Sequence, residues 1–208
     1  EEGKKILRHT ASHILAQAVK RLYPNTKLAI GPAIDDGFYY DIDFGDTKIS
    51  DTDLPKIEKK MRGIIARKLK MTKRTVSKNE ALKWAKNNKQ KYKAELIKEL
   101  PDGEEISFYD MGDLFTDLCK GPHLKDLSEI GAFKLVRVAG AYWRGDEKRE
   151  MLTRIYGVAF KTEEELEEYL KRQEEAKARD HRKLGKELDL FCYSNLVGSG
   201  LPLFTPRG

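Results

Sequence analysis

Cysteine is scarce in this chain, with Cys119 and Cys192 the only two among 208 residues. Two thiols so far apart make no disulfide framework, which sets aside small secreted scaffolds and makes a reducing, cytoplasmic compartment the expected one. Long apolar runs are missing too. No stretch approaches the roughly 20 residues that a membrane-spanning helix needs, so no membrane partner is expected. The opening residues Glu1-Glu2-Gly3-Lys4-Lys5 hold no apolar segment of a secretory signal. They hold no initiator Met either, and the last residues stop in mid-pattern, so both ends read as cut from something longer. A P-loop and a dinucleotide fingerprint are absent, because Gly198-Ser199-Gly200 does not sit in a strand–turn–helix unit. The zincin pattern is absent as well: Thr10 follows His9 and no Glu lies between His9 and His13, which disfavours metalloprotease chemistry.

What the chain has is charge. Charged residues make up 36% against 39% hydrophobic, the composition of a globular rather than a disordered protein. The net charge is +6, unevenly spread: Lys56 to Lys98 holds sixteen Lys/Arg against three acids, a local +13 that leaves about −7 elsewhere. A basic block on an otherwise acidic chain fits a polyanion such as RNA, and equally a solvated face.

Hydrophobic spacing predicts a helix over 4–22, ended by Tyr23-Pro24-Asn25, then a hairpin-like region over 27–44 with strand character in Phe38–Ile42. Asp51-Thr52-Asp53 and Pro55 open a second helix bearing Leu54, Ile57, Met61, Ile64 and Ile65. A strand is expected over 71–76, and Ser77 with Glu80 forms a capping box for a helix carrying Leu82 and Trp84. Three more strands read at 106–109, 133–138 and 151–160. A second capping box, Thr162 with Glu165, opens a long charged helix to about Leu188. The elements intersperse without βαβ alternation, which argues an α+β fold.

The chemistry-bearing residues cluster. His9 and His13 stand four apart on a helix, one turn apart on one side, as a pair sharing a ligand requires. Cys119-Lys120-Gly121-Pro122-His123 places two more donors across a tight loop, since Gly-Pro cannot continue a regular helix. Together they could furnish a tetrahedral zinc site, or be ordinary packed side chains. Asp117 could orient a histidine or hold an ammonium, and Lys93 could meet a phosphate or carbonyl, or be one surface lysine among many. Tyr39 and Tyr40 alternate on a strand, so one faces the core and the other a groove. The run from Ala139 through Tyr142, Trp143 and Arg144 to Gly145 reads as a stacking set for a nucleotide end or as a packed turn.

Several of these segments, taken in order, resemble the editing domain of bacterial threonyl-tRNA synthetases: His9-Thr-Ala-Ser-His13, Ala29-Ile-Gly31-Pro32, Gly37-Phe-Tyr-Tyr40-Asp41, Asp117-Leu-Cys119-Lys-Gly-Pro-His123, Ala139-Gly-Ala-Tyr142-Trp-Arg144-Gly145 and Arg154-Ile-Tyr-Gly157. Arg179 to Leu190 is similar to the segment that in this family leads into the catalytic domain. The resemblance implies an α+β domain of antiparallel sheets packed with helices, two-lobed with a cleft, over residues 1–160, with a basic helical sub-lobe at 52–104. It implies a linker helix at 161–190 and the start of a class II catalytic domain at 191–208. The implied activity is hydrolysis of serine from mischarged Ser-tRNA(Thr). His9 would orient or deprotonate the water, and His13 and His123 would hold the seryl group or ribose. Cys119 would form a pocket wall, Asp117 would bind the seryl ammonium, and Lys93 would stabilise charge. Gly31, Tyr40, Tyr142 and Arg144 would line the substrate. No metal is favoured, although alanyl-tRNA editing relatives hold zinc on such a donor set (here His9, His13, Cys119 and His123). ATP, Mg and Zn are implied only for a catalytic domain absent from this chain, which should not charge tRNA and should edit weakly alone. The implied partners are tRNA(Thr) and the catalytic and anticodon-binding domains. The parent would be a homodimer and this piece a monomer. A silent tRNA-binding appendage and a zinc-dependent hydrolase on another substrate are the alternatives.

Overall fold

The computed structural model describes residues 2–101, 103–112, 114–179, 187–193 and 202–206. The chain divides into two compact units, Glu1–Leu166 and Glu167–Gly208. In the first, the central element is α1 (Glu2–Leu22), buried at almost every position from Leu7 to Val19. It is followed by the short strands β1 (Lys27–Leu28) and β2 (Ala33–Ile34) and by β3 (Gly37–Asp43). With β7 (Ala132–Tyr142) and β8 (Met151–Phe160) these make an antiparallel sheet in the order β1-β3-β8-β7, β2 pairing with the start of β3. The β7–β8 register shifts between Leu135 and Arg137.

α1 lies on this sheet through Ile14, Leu15, Ala18 and Val19 against Phe38, Tyr40, Ile42 and Ile155, all buried. Each fully buried Leu or Ile contributes roughly 1.5–3 kcal/mol relative to exposure. α2 (Leu54–Ile65) closes the same core with Leu54, Ile57, Met61 and Ile64, the stripe its sequence spacing predicts, and Pro55 sits in its first turn. Arg8 fixes the β2–β3 turn to α1 by donating to the Ile34 and Asp35 carbonyls.

A second, three-stranded antiparallel sheet has the order β4-β5-β6, formed by β4 (Met71–Val76), β5 (Ile106–Met111) and β6 (Thr116–Leu118). α3 (Lys78–Asn87) and α4 (Lys91–Glu99) cover it through Ala81, Ala85 and Ile97 on Ile106 and Phe108. The Ser77–Glu80 capping box is formed, with Glu80 N donating to Ser77 Oγ and Ser77 N to the Glu80 carboxylate. Residues of the basic 52–104 stretch thus feed two cores, α2 in the first and α3 and α4 in the second.

α5 (Glu163–Ala178) starts where expected, with Glu165 N donating to Thr162 Oγ1. Its anticipated continuation through 180–186 lies outside the described residues. In the second unit β9 (Phe191–Tyr193) pairs antiparallel with β10 (Pro202–Phe204), and residues 194–201, 207 and 208 also lie outside them. No described helix is long and apolar enough to cross a membrane. Helices and antiparallel sheets in this arrangement are the α+β class.

Candidate active site

Four segments meet beside the N-terminal half of α1. That helix supplies His9, Thr10 and His13; β3 supplies Tyr40; α4 supplies Lys93; β6 supplies Asp117; and the loop after β6 brings Cys119 and His123. The loop turns at Gly121, whose φ is +74° and whose peptide bond to Pro122 is cis. A Cβ there would lie 2.1 Å from the Tyr109 hydroxyl, so only glycine lets the loop fold back over β5. Gly31 works the same way on the opposite wall: a Cβ would fall 2.1 Å from the Tyr40 ring, and its carbonyl accepts from Ser12 Oγ at 2.6 Å.

Two polar layers result. The inner one centres on Asp117, which is fully buried. Its Oδ1 pairs with Lys93 Nζ at 2.9 Å and accepts from Leu118 N at 2.9 Å. Its Oδ2 accepts from Tyr40 Oη at 2.5 Å and lies 2.9 Å from His13 Nδ1, off the line of an ideal hydrogen bond. Lys93 also donates to Tyr40 Oη at 3.1 Å and is itself buried. The outer layer is the donor cluster. Cys119 Sγ stands 3.3 Å from His9 Nε2 and 3.2 Å from His123 Nε2, and accepts from Gly121 N at 3.3 Å. The rings of His9 and His123 are 4.2 Å apart, and those of His13 and His123 4.6 Å. His123 Nδ1 is 3.3 Å from Thr10 Oγ1, which donates to Ile6 O and accepts from Leu124 N. His9, half-buried like Cys119 and His123, is the member that reaches a cleft of about 370 Å³, walled by Ile6, Pro32, Ala33 and Pro122 with Glu2 and Lys5 at its rim. A smaller apolar hollow of about 210 Å³ flanks the other side of Cys119, between Leu96, Leu100, Ile106 and Leu118.

Electrostatics follow from this layering. Burial alone would raise the Asp117 pKa, but the Lys93 charge and His13 outweigh it and hold the carboxyl well below its usual range. Burial alone would lower His13; contact with Asp117, then with Cys119, pushes it up to about 9. Burial would raise the Cys119 thiol, yet His123, His13 and His9 around the sulfur pull it down to about 3. Burial lowers His123 to about 4, keeping its ring neutral at pH 7. Burial and then the Asp117 charge push the Tyr40 phenol well above its ordinary value, so it stays a donor.

The structure therefore brings together His9, His13, Tyr40, Lys93, Asp117, Cys119 and His123, with Gly31 as a wall. Tyr142 and Arg144 take other positions. Arg144 pairs bidentately with Glu99 and also with Glu95 of α4, and Trp143 donates to Glu95, so this run clamps the outer edge of α4. The expected ammonium contact at Asp117 meets two oxygens already committed to Lys93, Leu118 N, Tyr40 and His13. Of the two tyrosines, Tyr40 is buried beside the site and Tyr39 lies half-buried under Arg154. Thr10 and the Gly121 amide escaped the sequence reading; Thr10, one residue from His9 on a helix, gave no periodic signal of its own.

Residues 106–156 match the model of the threonyl and alanyl tRNA synthetase second additional domain. Over all 208 residues the chain is 60% identical to a threonine--tRNA ligase of Clostridium tetani (strain Massachusetts / E88), of which it covers 32%. It is 56% identical over its full length to the corresponding proteins of Clostridioides difficile (strain 630) and Rubrobacter xylanophilus, again covering 32% of each. The chain is thus similar over its whole length to threonine--tRNA ligases, with residues 106–156 matching the second additional domain of the threonyl and alanyl enzymes. It spans about a third of the length of those curated relatives. The matched stretch of the second additional domain holds Asp117, Cys119 and His123. The other site residues, His9, His13, Tyr40 and Lys93, lie upstream of it and are tied to it by the contacts above.

The four donor atoms of His9, His13, Cys119 and His123 lie within 4.8 Å of one another. Three imidazoles and a thiolate, with His13 backed by a carboxylate and His123 by a hydroxyl, suit zinc in type and in support. These four residues would hold the ion, which when bound supplies Lewis acidity to a water or carbonyl.

Proposed function

We propose that this second additional domain hydrolyses serine from Ser-tRNA(Thr), as the proofreading part of a threonine--tRNA ligase acting with tRNA(Thr) and the remaining domains of that enzyme. The observation that supports the reading is the division of labour in the site. His9 borders an open cleft, while one helical turn away His13 belongs to a buried polar network with Asp117, Lys93 and Tyr40.

The substrate is an activated ester at a ribose hydroxyl, so the protein has to place a water and stabilise the developing oxyanion. His9 takes the proton of a water in the cleft as its oxygen attacks the ester carbonyl. The tetrahedral adduct then expels the ribose oxygen, which recovers that proton, leaving free serine and uncharged tRNA. Protonated His13, held by Asp117, places positive charge behind the adduct. His123, neutral at pH 7, is available to hold the ribose or seryl hydroxyl. Cys119 packs between them, and direct attack by water needs no covalent thioester. The methyl that separates threonine from serine is worth only about 1–3 kcal/mol in a single binding step. A second site that admits the smaller side chain removes what the first accepts wrongly.

The test is deacylation of Ser-tRNA(Thr) and Thr-tRNA(Thr) by the chain, with and without chelator, beside His9→Ala. The expected result is selective loss of serine, lowered roughly 10²–10⁴-fold by the substitution and indifferent to chelator. Chelator sensitivity would move the cluster to a zinc-bound role. Cleavage of neither ester at high protein concentration would overturn hydrolysis by this chain and leave tRNA binding as its contribution.

A further inference from the structure

The α1 stripe that carries His9 and His13 does not end with them. At the same spacing it continues to Gln17 and then to Lys20 and Arg21, away from the cluster described above. Gln17 is fully buried, and neither its Nε2 nor its Oε1 has a hydrogen-bond partner among the described residues. Buried amides are almost always paired, and leaving both atoms unpaired is costly, so this one is held ready for a partner. It borders a hollow of about 370 Å³, separate from the hydrolytic cleft, whose walls include Trp84, Asn88, Gln90 and Phe115. The neighbouring amides are occupied: Gln90 accepts from Leu28 N and donates to Asn88 O, and Asn88 donates to Trp84 O.

The rim of the hollow is positive. Lys20 Nζ donates to the Pro24 and Thr26 carbonyls at 2.6 and 2.9 Å, partners that carry no formal charge to cancel its own. Arg21 stands beside it, and burial together with the Arg67 charge depresses its pKa, the mark of a cation facing another cation. A planar donor–acceptor pair buried beneath the base, which a ligand reaches by displacing the side chains over it, aromatic side chains on the walls and cations at the lip describe a complement for a heterocycle with a phosphate. A Gln amide reads such an edge with two hydrogen bonds, as it does with adenine, and aromatic walls accept the ring. The volume lies in the lower range of small-ligand pockets, enough for one nucleotide unit.

We propose that this hollow is a nucleotide site, in which Gln17 takes the hydrogen-bonding edge of the base, Trp84 and Phe115 flank the ring, and Lys20 and Arg21 take the phosphate. The occupant is either a free nucleoside monophosphate or one nucleotide of an RNA chain. The site does not depend on the hydrolytic reading and is tested without any aminoacyl ester.

The chain is titrated calorimetrically with AMP, CMP, GMP and UMP, and uncharged tRNA is titrated separately. Gln17→Met and Arg21→Ala are compared with Lys148→Ala, an exposed lysine of a different loop. Saturable binding of a monophosphate, weakened about tenfold or more by both hollow variants and not by the control, supports a free nucleotide. No monophosphate binding, but tRNA affinity reduced about tenfold or more by the same two variants alone, supports an RNA nucleotide. Neither ligand responding to Gln17→Met and Arg21→Ala overturns the proposal. Melting adds an independent reading. Gln17→Met should raise the melting temperature of the unliganded chain, because it removes an unpaired buried amide; a fall would mean that the amide is already satisfied by internal water. If Gln17→Met does not fold, Arg21→Ala at the rim carries the ligand test alone.

Discussion

Asp117 carries more of the site than any other single residue. Two buried cationic partners and a phenol converge on its carboxylate, and it has no exposure through which water could substitute for them. Asp117→Asn keeps the shape and removes the charge, leaving Lys93 buried without its counter-ion and His13 with the Cys119 thiolate alone. Breaking such a set is expected to cost about 3–5 kcal/mol in urea denaturation, and to return the His13 titration from about 9 toward 6.5 in an NMR pH series. A stable Asp117→Asn protein with His13 still titrating near 9 would remove Asp117 from the centre of the account. A second expectation concerns the thiol. With Cys192 replaced by serine, Cys119 should react with iodoacetamide at a nearly constant rate from pH 5 to 8, because its pKa falls from 9.0 to about 3. A rate that climbs tenfold per pH unit through that range would show an ordinary thiol. At this scale the sequence was legible where spacing is itself geometry: the i, i+4 histidines and the Cys-to-His loop. Lys93 was not distinguishable in kind from the other basic residues of Lys56–Lys98, because what sets it apart is burial against a strand distant in sequence. The run at Tyr142, Trp143 and Arg144 left two readings open, a ligand platform or a packed turn, and the structure adds that Trp143 and Arg144 bind Glu95 and Glu99 of α4.

α4 is the element on which the site depends and which the sequence showed least. Gln90 caps it without a side-chain hydrogen bond, and its buried face is Tyr92, Lys93 and Ile97, so a lysine interrupts the apolar stripe. α3, which starts thirteen residues earlier, was legible because Ser77 and Glu80 announce it. β6 went unread because three residues are too few for a period-2 pattern, yet it delivers Asp117. What holds α4 on its outer side is Glu95, which accepts from Trp143 Nε1 at 3.2 Å and pairs with Arg149 at 2.6 Å. Glu95 is half-buried and its Arg149 partner likewise reaches solvent, so the pair is partly screened, and Glu95→Ala is expected to cost about 1 kcal/mol at low salt and less at 1 M salt. Because Lys93 is two residues away on the same helix, the substitution should lower deacylation of Ser-tRNA(Thr) more than it lowers the melting temperature. An unchanged rate beside a large loss of stability would show α4 to be scaffold without influence on the site.

For the whole molecule, the coupled charges of the site predict an unusual dependence of stability on pH. In the folded protein His13 keeps its proton up to about 9 and Cys119 gives its own up near 3, against unfolded values of 6.5 and 9.0. Below pH 6.5 the unfolded chain protonates both groups while the folded chain protonates one, so stability rises with pH from about 3 to 6.5. The His13–Cys119 pair contributes a slope of about 1.4 kcal/mol per pH unit; His123, lowered from 6.5 to about 4, adds a rise of the same sign between those values, and Asp117, also depressed, adds at the acid end. Between 6.5 and 9 each state holds one proton, on His13 when folded and on the cysteine when unfolded, so the two contributions cancel and stability stays level. Cys119→Ser removes the compensating thiol and leaves His13 raised by Asp117. The sign is then that of a folded group with an elevated pKa: its stabilisation is complete below 6.5 and is lost as pH rises toward the folded value. Urea denaturation of chelator-treated protein at half-unit intervals should therefore show a plateau in the parent chain and a decline in Cys119→Ser over the same window. Parallel curves would mean that the proton does not pass from the thiol to the imidazole on folding. The serine side chain would then report only the change in packing beside His9 and His123.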